Sequence, residues 1–336
     1  METQPFISVI LPFYNAEKTL DRALASIANQ SYKYFECIMI DNNSSDNSNS
    51  IACEWQRKDS RFILTQESKQ GVVHASNKGS EKASGKYIAR MDADDWSFPD
   101  RLKLQCEFLE QHPEYGAVSG LVEYKSHTDN TDGFKRYVDW LNSVISYNDI
   151  LKSRFIESPI VNPSAMWRQQ VAASLGMYHT GDFPEDYELW LRWLDAGVKI
   201  GKIEAPIIKW FDSFARLTRT DSIYSDNAFY RIKTKYLDKW LKENHPGYPS
   251  VLIWGASRTS RNRAAELNQY GIKIEGYIDI KKGRQLDKEV IFYQDIPKAG
   301  KSFILVYFKH STRRKQISDF LLQKDYVEGK DFLFVS

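Results

Sequence analysis

Short apolar runs, set apart by longer stretches of helical periodicity, open the chain. Ile7 to Pro12, Phe35 to Ile40 and Phe62 to Thr65 read as strands, and amphipathic stretches near Glu17 to Asn29 and Asn47 to Lys58 read as the helices between them. A further helix at Asn77 to Ser84 leads into a fourth strand, Lys86 to Met91, which runs directly into Asp92-Ala93-Asp94-Asp95. Strands alternating with helices of crossover length are the sequence form of an α/β fold with a parallel sheet. In such a sheet the carboxyl ends of the strands open on one side, where ligands bind. Between about Gly120 and Ile160 the pattern blurs and assigns no element. It returns in an amphipathic helix at Glu185 to Ala196, with Leu189, Trp193 and Ala196 on one face, and in a helix rich in aromatics and lysines at Asn227 to Glu243. Arg216 to Thr220 reads as an irregular basic loop.

The breaker cluster His245-Pro246-Gly247-Tyr248-Pro249 reads as a linker, and a second series starts behind it: a strand from Val251, a turn at Gly255-Ala256-Ser257, a helix, then strands at Ile274 to Ile280 and Phe303 to Phe308. The pattern thus divides into a first α/β domain over 1–222, a helical connector and linker over 223–248, and a small βαβ domain over 249–336.

Composition narrows the class. At 336 residues, 42% apolar and 14% aromatic, the chain can bury two cores. Lysine and arginine number 46 against 44 acids, a formal +2, so no overall field points to nucleic acid. Cys37, Cys53 and Cys106 are odd in number and lack metal-site spacing, which fits a reducing compartment. The opening residues have no basic region before an apolar run, and no stretch reaches the roughly 18 apolar residues of a membrane span. The expectation is a soluble cytoplasmic protein, at most peripheral on the inner face of a membrane.

The chemistry concentrates at the strand ends. Asp92, Asp94 and Asp95 gather carboxylates where like charges repel, unless the loop is merely a solvated acidic turn. A hard divalent cation, Mg2+ or Mn2+, takes oxygen ligands and commonly bridges carboxylates to substrate phosphates. After the first strand, Pro12, Tyr14 and Asn15 present a ring and an amide; the ring either stacks on a nucleobase or packs beneath the next helix. At the end of the second strand Asp41 can accept the ring N–H of a uracil, while Ser45 and Asp46 read as caps of the following helix.

Taken in order, SVILPFYN, FECIMIDNNSSD, GVVHASNKGSEKASGKYIARMDADD, PDRL and PEDYELWLRW resemble the motifs of the family 2 glycosyltransferases, from Ser8 to about Thr220. The resemblance implies a GT-A nucleotide-diphospho-sugar transferase fold, a mixed and mostly parallel sheet between helices, over 1–222. It implies a UDP-sugar donor, a carbohydrate or lipid-linked saccharide acceptor, and inverting transfer of a single sugar in bacterial surface-polysaccharide assembly. Donor contacts are expected from Pro12, Tyr14, Asn15, Glu17, Asp41, Lys69, Asn77, Asp92, Ala93, Arg216 and Arg219. Asp94 with Asp92 would hold Mn2+ or Mg2+, and Asp186 is the expected general base, with Glu185 as the competing candidate. Arg216 and Arg219 either fold over the diphosphate or remain solvated.

Several positions depart from the pattern. Relatives often carry Asp-Asp-Gly-Ser where this chain has Asp41-Asn42-Asn43-Ser44, and an arginine where Ser76 precedes Asn77; Lys69 is a candidate for the missing charge. The histidine that often follows the last catalytic strand is absent from Trp210-Phe211-Asp212-Ser213. Arg192-Trp193 matches part of the motif of processive synthases, but Leu189 stands at its glutamine position. The C-terminal domain looks like the Rossmann-like modules of some surface-polysaccharide enzymes. Its fingerprint, Trp254-Gly255-Ala256-Ser257-Arg258-Thr259-Ser260 with Asp279, retains one glycine where a dinucleotide site needs three, which favours docking or homo-oligomerisation over cofactor binding. Rival readings are a nucleotide-dependent oxidoreductase, which leaves the acidic tetrad unexplained, and a catalytically silent nucleotide-sugar binding protein.

Overall fold

The computed structural model describes residues 6–126, 132–212 and 221–336. The chain forms two units: Met1–Ile150 with Pro159–Gly181 and Glu188–Thr220, and Leu151–Ser158 with Asp182–Tyr187 and Asp221–Ser336.

In the first unit the elements run β1 (Ile7–Phe13), α1 (Leu20–Ala28), β2 (Phe35–Asp41), α2 (Ser48–Lys58), β3 (Phe62–Gln66), α3 (Val72–Lys82), β4 (Tyr87–Arg90), β5 (Trp96–Ser97), α4 (Arg101–Gln111), β6 (Tyr115–Ser126) and α5 (Asp132–Ser143). β7 (Met166–Arg168), α7 (Gln169–Leu175) and β8 (Lys199–Asp212) complete it, while α6 (Tyr147–Ser153), before β7, and α8 (Glu185–Asp195), before β8, are each divided between the two units. The strands form one mixed sheet in the order β3-β2-β1-β4-β7-β6-β8-β5. β1, β2, β3 and β4 are mutually parallel, β6 is parallel to β8, and β7 and β5 run against their neighbours. Every residue of β1 and β2 is buried, which is why both read as mainly apolar runs instead of alternating ones; the two polar residues inside them answer each other, Ser8 Oγ donating to Glu36 Oε1 at 2.6 Å. Edge strand β3 exposes Ile63 and Gln66.

Two sequence expectations change. Helix α3 begins at Val72, ahead of Asn77, because Gly71 takes a φ of 129° that lets the chain turn into it. A Cβ on Gly79 would lie 2.7 Å from Ile40 Cδ1, so the glycine is what lets α3 press against β1 and β2. The region that gave no clear pattern contains β6, α5 and α6. β6 pairs with β8 along most of its length through register shifts around Gly120 to Val122, and its mixed exposure hides the strand period.

The second unit holds α9 (Asp226–Asn244), β9 (Ser250–Trp254), α10 (Arg258–Ala264), β10 (Lys273–Asp279), β11 (Glu289–Phe292), β12 (Phe303–Val306), α11 (Ser311–Gln323) and β13 (Phe332–Phe334). Its sheet is all parallel, in the order β11-β10-β9-β12-β13. Leu252, Trp254, Ile278, Ile304, Val306 and Phe332 form its core, against which Ile156 packs. Lys233 Nζ donates to the carbonyls of Ile156 and Val335, at 2.9 and 3.1 Å, and so ties the 151–158 segment to α9 and the final strand.

Candidate active site

The carboxyl ends of β1, β2 and β4 define the site. In register, Phe13 lies beside Asp41 and Ile10 beside Arg90. The chain leaves β1 for β2 and β3 on one side and returns to β4 on the other, so the strand order reverses between β1 and β4, where open α/β sheets bind ligands. Pro12 is buried in β1, whereas Tyr14, the first residue beyond the strand's end, is 53% exposed. Asn15, with φ of 48°, accepts from Ser45 N at 2.8 Å, and its own N donates to Ser44 Oγ. Glu17 Oε2 accepts from Asn47 N and Nδ2 at 3.1 and 3.0 Å. Asn15 and Glu17 therefore lace the loop after β1 to the loop after β2.

Asp41 is buried; Oδ1 accepts from Ser44 N at 3.0 Å and Oδ2 from Asn49 Nδ2 at 2.8 Å. Each oxygen retains a lone pair, as a base contact would require. Asn42, which stands where relatives have a second carboxylate, donates to the carbonyls of Glu67 and Lys69 and accepts from Gly71 N, fixing the approach to α3. Lys69 itself is exposed. Asn77 bonds to the backbone of Tyr178, donating to its carbonyl at 2.9 Å and accepting from its N at 3.1 Å.

The acidic tetrad forms a compact oxygen cluster: one carboxylate oxygen from each of Asp92, Asp94 and Asp95 lies within 4.8 Å of the others. All-oxygen donors suit Mg2+ or Mn2+. Asp95 is fully buried and accepts from Phe211 N at 2.9 Å, which pins the end of β8, while Asp92 and Asp94 are partly exposed. Ala93 packs on the main core.

Among the described residues three arginines hold this loop, and the sequence reading gave none of them a role. Arg90, buried at the end of β4, donates from Nε and Nη2 to Asp92 Oδ1 at 2.9 and 2.7 Å, and from Nη1 to Ser76 Oγ on α3. It is Arg90, not Lys69, that reaches Ser76. Arg22 donates to the Asp94 carbonyl at 2.6 Å and lies 3.8 Å over the Phe211 ring. Arg101 is fully buried and donates to the Arg90 carbonyl at 2.7 Å. Burial pushes its pKa down to about 9, against the upward pull of Asp95 and Asp92. Arg90 did leave a signal, since a cation inside the apolar run Tyr87-Ile88-Ala89-Arg90-Met91 needs a buried partner.

Glu185 and Asp186 belong to the second unit and start α8. Glu185 is 5% exposed and accepts from the Tyr224 hydroxyl at 2.7 Å. Asp186 is more open and accepts from Tyr187 N at 2.7 Å. A helix N-terminus favours the ionised carboxylate. Arg216 and Arg219 lie outside the described residues. Beyond β9 of the second unit, Ser257 caps α10, Ser260 Oγ donates to the Tyr307 carbonyl at 3.1 Å, and Asp279 pairs with Arg284 at 2.8 Å.

The sequence profile of glycosyl transferase family 2 matches residues 8–175. The putative glycosyltransferase EpsE of Bacillus subtilis is 32% identical over 68% of this chain and 81% of its own length. The amylovoran biosynthesis glycosyltransferase AmsE of Erwinia amylovora is 28% identical over 67% of the chain and 85% of its own length. An uncharacterized glycosyltransferase of Haemophilus influenzae is 32% identical over 56% of this chain, which spans 60% of that relative. Among solved structures, S. aureus TarS 1-349 in complex with UDP-GlcNAc aligns with a TM-score of 0.56 at 17% identity, covering 79% of this chain and 71% of that one. The mannosyltransferase PcManGT of Pyrobaculum calidifontis, in complex with GDP-Man and Mn2+, aligns with a TM-score of 0.50 at 19% identity, covering 72% and 65%.

Proposed function

The chain belongs to glycosyl transferase family 2 with a GT-A fold, and on that premise we propose that it moves one sugar from a UDP-sugar to an acceptor hydroxyl with inversion. The observation that carries this reading is the Asp92, Asp94 and Asp95 cluster at the β1/β4 switch point, with Tyr14 exposed at the end of β1. Tyr14 stacks on the base, Asp41 takes the uracil N–H, and Asp92, Ala93 and Lys69 line the path of the ribose and diphosphate. A divalent ion, Mn2+ or Mg2+, held by Asp94 with help from Asp92, would offset charge on the leaving diphosphate. Asp186 takes the proton from the acceptor hydroxyl as that oxygen attacks the anomeric carbon on the face opposite the diphosphate. Asp186 is preferred over Glu185 because Glu185 is buried against the Tyr224 hydroxyl.

The acceptor in this reading is a carbohydrate or lipid-linked saccharide of a surface polysaccharide; AmsE, a relative, is named for amylovoran biosynthesis. No described helix is long and apolar enough to cross a membrane. The second unit serves docking or self-association. Calorimetry with UDP and GDP, each with manganese and with excess chelator, tests the donor reading. UDP binding that needs the metal and exceeds GDP binding is expected, and a preference for GDP would overturn the uracil assignment.

A further inference from the structure

The acidic loop carries its own countercharge. The carboxylates of Asp92, Asp94 and Asp95 are matched by the guanidinium groups of Arg90, Arg101 and Arg22, each bonded to the loop or to the strand that ends in it. Arg90 pairs with Asp92 and places both Nε and Nη2 on the same oxygen of that carboxylate. The second oxygen of Asp92, on a side chain 24% exposed, is left to face a ligand. Arg90 can hardly move aside, because it is 3% exposed and anchored to Ser76 on α3. A divalent ion must trade hydration water for protein oxygens, and a loop whose carboxylates are already offset by the described arginines attracts it too weakly for that exchange, so it is a poor receptor for the bare ion. A diphosphate supplies both the oxygens and the negative charge that the loop lacks.

We propose that Arg90 is a positioning residue that cancels the charge of Asp92 and aims its free oxygen, so that the loop takes up a divalent ion only together with a nucleoside diphosphate. The proposal rests on the donor reading above. Ser76 on α3 accepts from Arg90 Nη1, so an arginine placed at 76 would stand beside the same end of β4.

The test is calorimetric titration of the full chain with manganese chloride alone, then with manganese in saturating UDP. Arg90→Met, which removes the countercharge, should bind manganese alone at least about tenfold more tightly than the unaltered chain, the usual scale of effects from groups behind a metal ligand. Adding Ser76→Arg to Arg90→Met should return manganese binding to the weak level. In the unaltered chain, UDP should raise manganese affinity by a factor on the order of ten or more, and manganese should raise UDP affinity equally. Manganese binding alone that is unchanged or weaker in folded Arg90→Met overturns the proposal, as does manganese affinity that stays equal with and without UDP when UDP itself binds. If Arg90→Met does not fold, Arg90→Lys decides: it keeps the charge, so it must bind manganese alone as weakly as the unaltered chain, and tighter binding overturns the idea. Absence of any UDP binding, with the manganese differences among variants as stated, would remove the donor reading while leaving the role of Arg90 standing.

Discussion

The side-chain amide of Asn77 bonds in both senses to the backbone of Tyr178, donating to its carbonyl and accepting from its N across 101 positions of sequence. This contact ties α3, which carries Ser76 behind the acidic loop, to the chain that follows α7. Asn77→Ala should therefore act on stability, by about 1–3 kcal/mol for two lost hydrogen bonds and the backbone groups left behind. UDP affinity of the folded protein should hold. Unchanged chemical denaturation with weakened UDP binding would instead make the amide a donor contact.

Asp94→Asn should uncouple donor and metal. We expect UDP binding to lose its dependence on manganese and transfer to slow by a barrier increase of about 3 kcal/mol or more, the scale of losing charge stabilisation from a bound ion. Titrations in manganese and in chelator, with turnover measured on the same preparation, check both parts.

Asp186→Asn should remove the base and leave the donor site intact. General-base assistance contributes about a hundred- to ten-thousand-fold, so turnover should fall within that range while UDP affinity stays put. Glu185→Gln should mainly disturb the hydrogen bond from the Tyr224 hydroxyl and be read in melting. Near-normal turnover in a folded Asp186→Asn, with loss in Glu185→Gln, would exchange the two roles.

Lys202, buried on β8 with Nζ on the Leu141 carbonyl at 2.6 Å, should make stability depend on pH. Burial pushes its pKa down to about 7, below the value it takes when unfolded. Between pH 7 and the unfolded value the unfolded chain holds a proton that the native chain does not, so this residue's contribution rises with pH and is lost as pH falls through about 7. Relative to Lys202→Met, the unaltered chain should gain about 1–2 kcal/mol between roughly pH 6 and 8.5. Urea denaturation of both proteins across that range gives the comparison, and parallel curves would show that Lys202 does not titrate there.

Much of the first unit was legible because its central strands are buried on both faces. The runs at Ile7 and Phe35 have no polar alternation to confuse with a helix, and the acidic tetrad follows its strand without a gap. Those local patterns determined the α/β class, the carboxyl-end location of the candidate site and its oxygen chemistry. Tertiary structure decided which side chains answer each other. Arg90 meets Asp92 and Ser76 because β4 is held beside β1 in a register that puts Arg90 at the strand end, while Gly79 lets α3 come close enough. Likewise Leu151–Ser158 and Asp182–Tyr187 join the second unit although they precede its sheet by many residues, with Lys233 bonded to the Ile156 carbonyl. Periodicity records which face of an element is buried. It carries no information about which distant element buries it, because that depends on sheet order and register, and these are set by the packing of the whole unit.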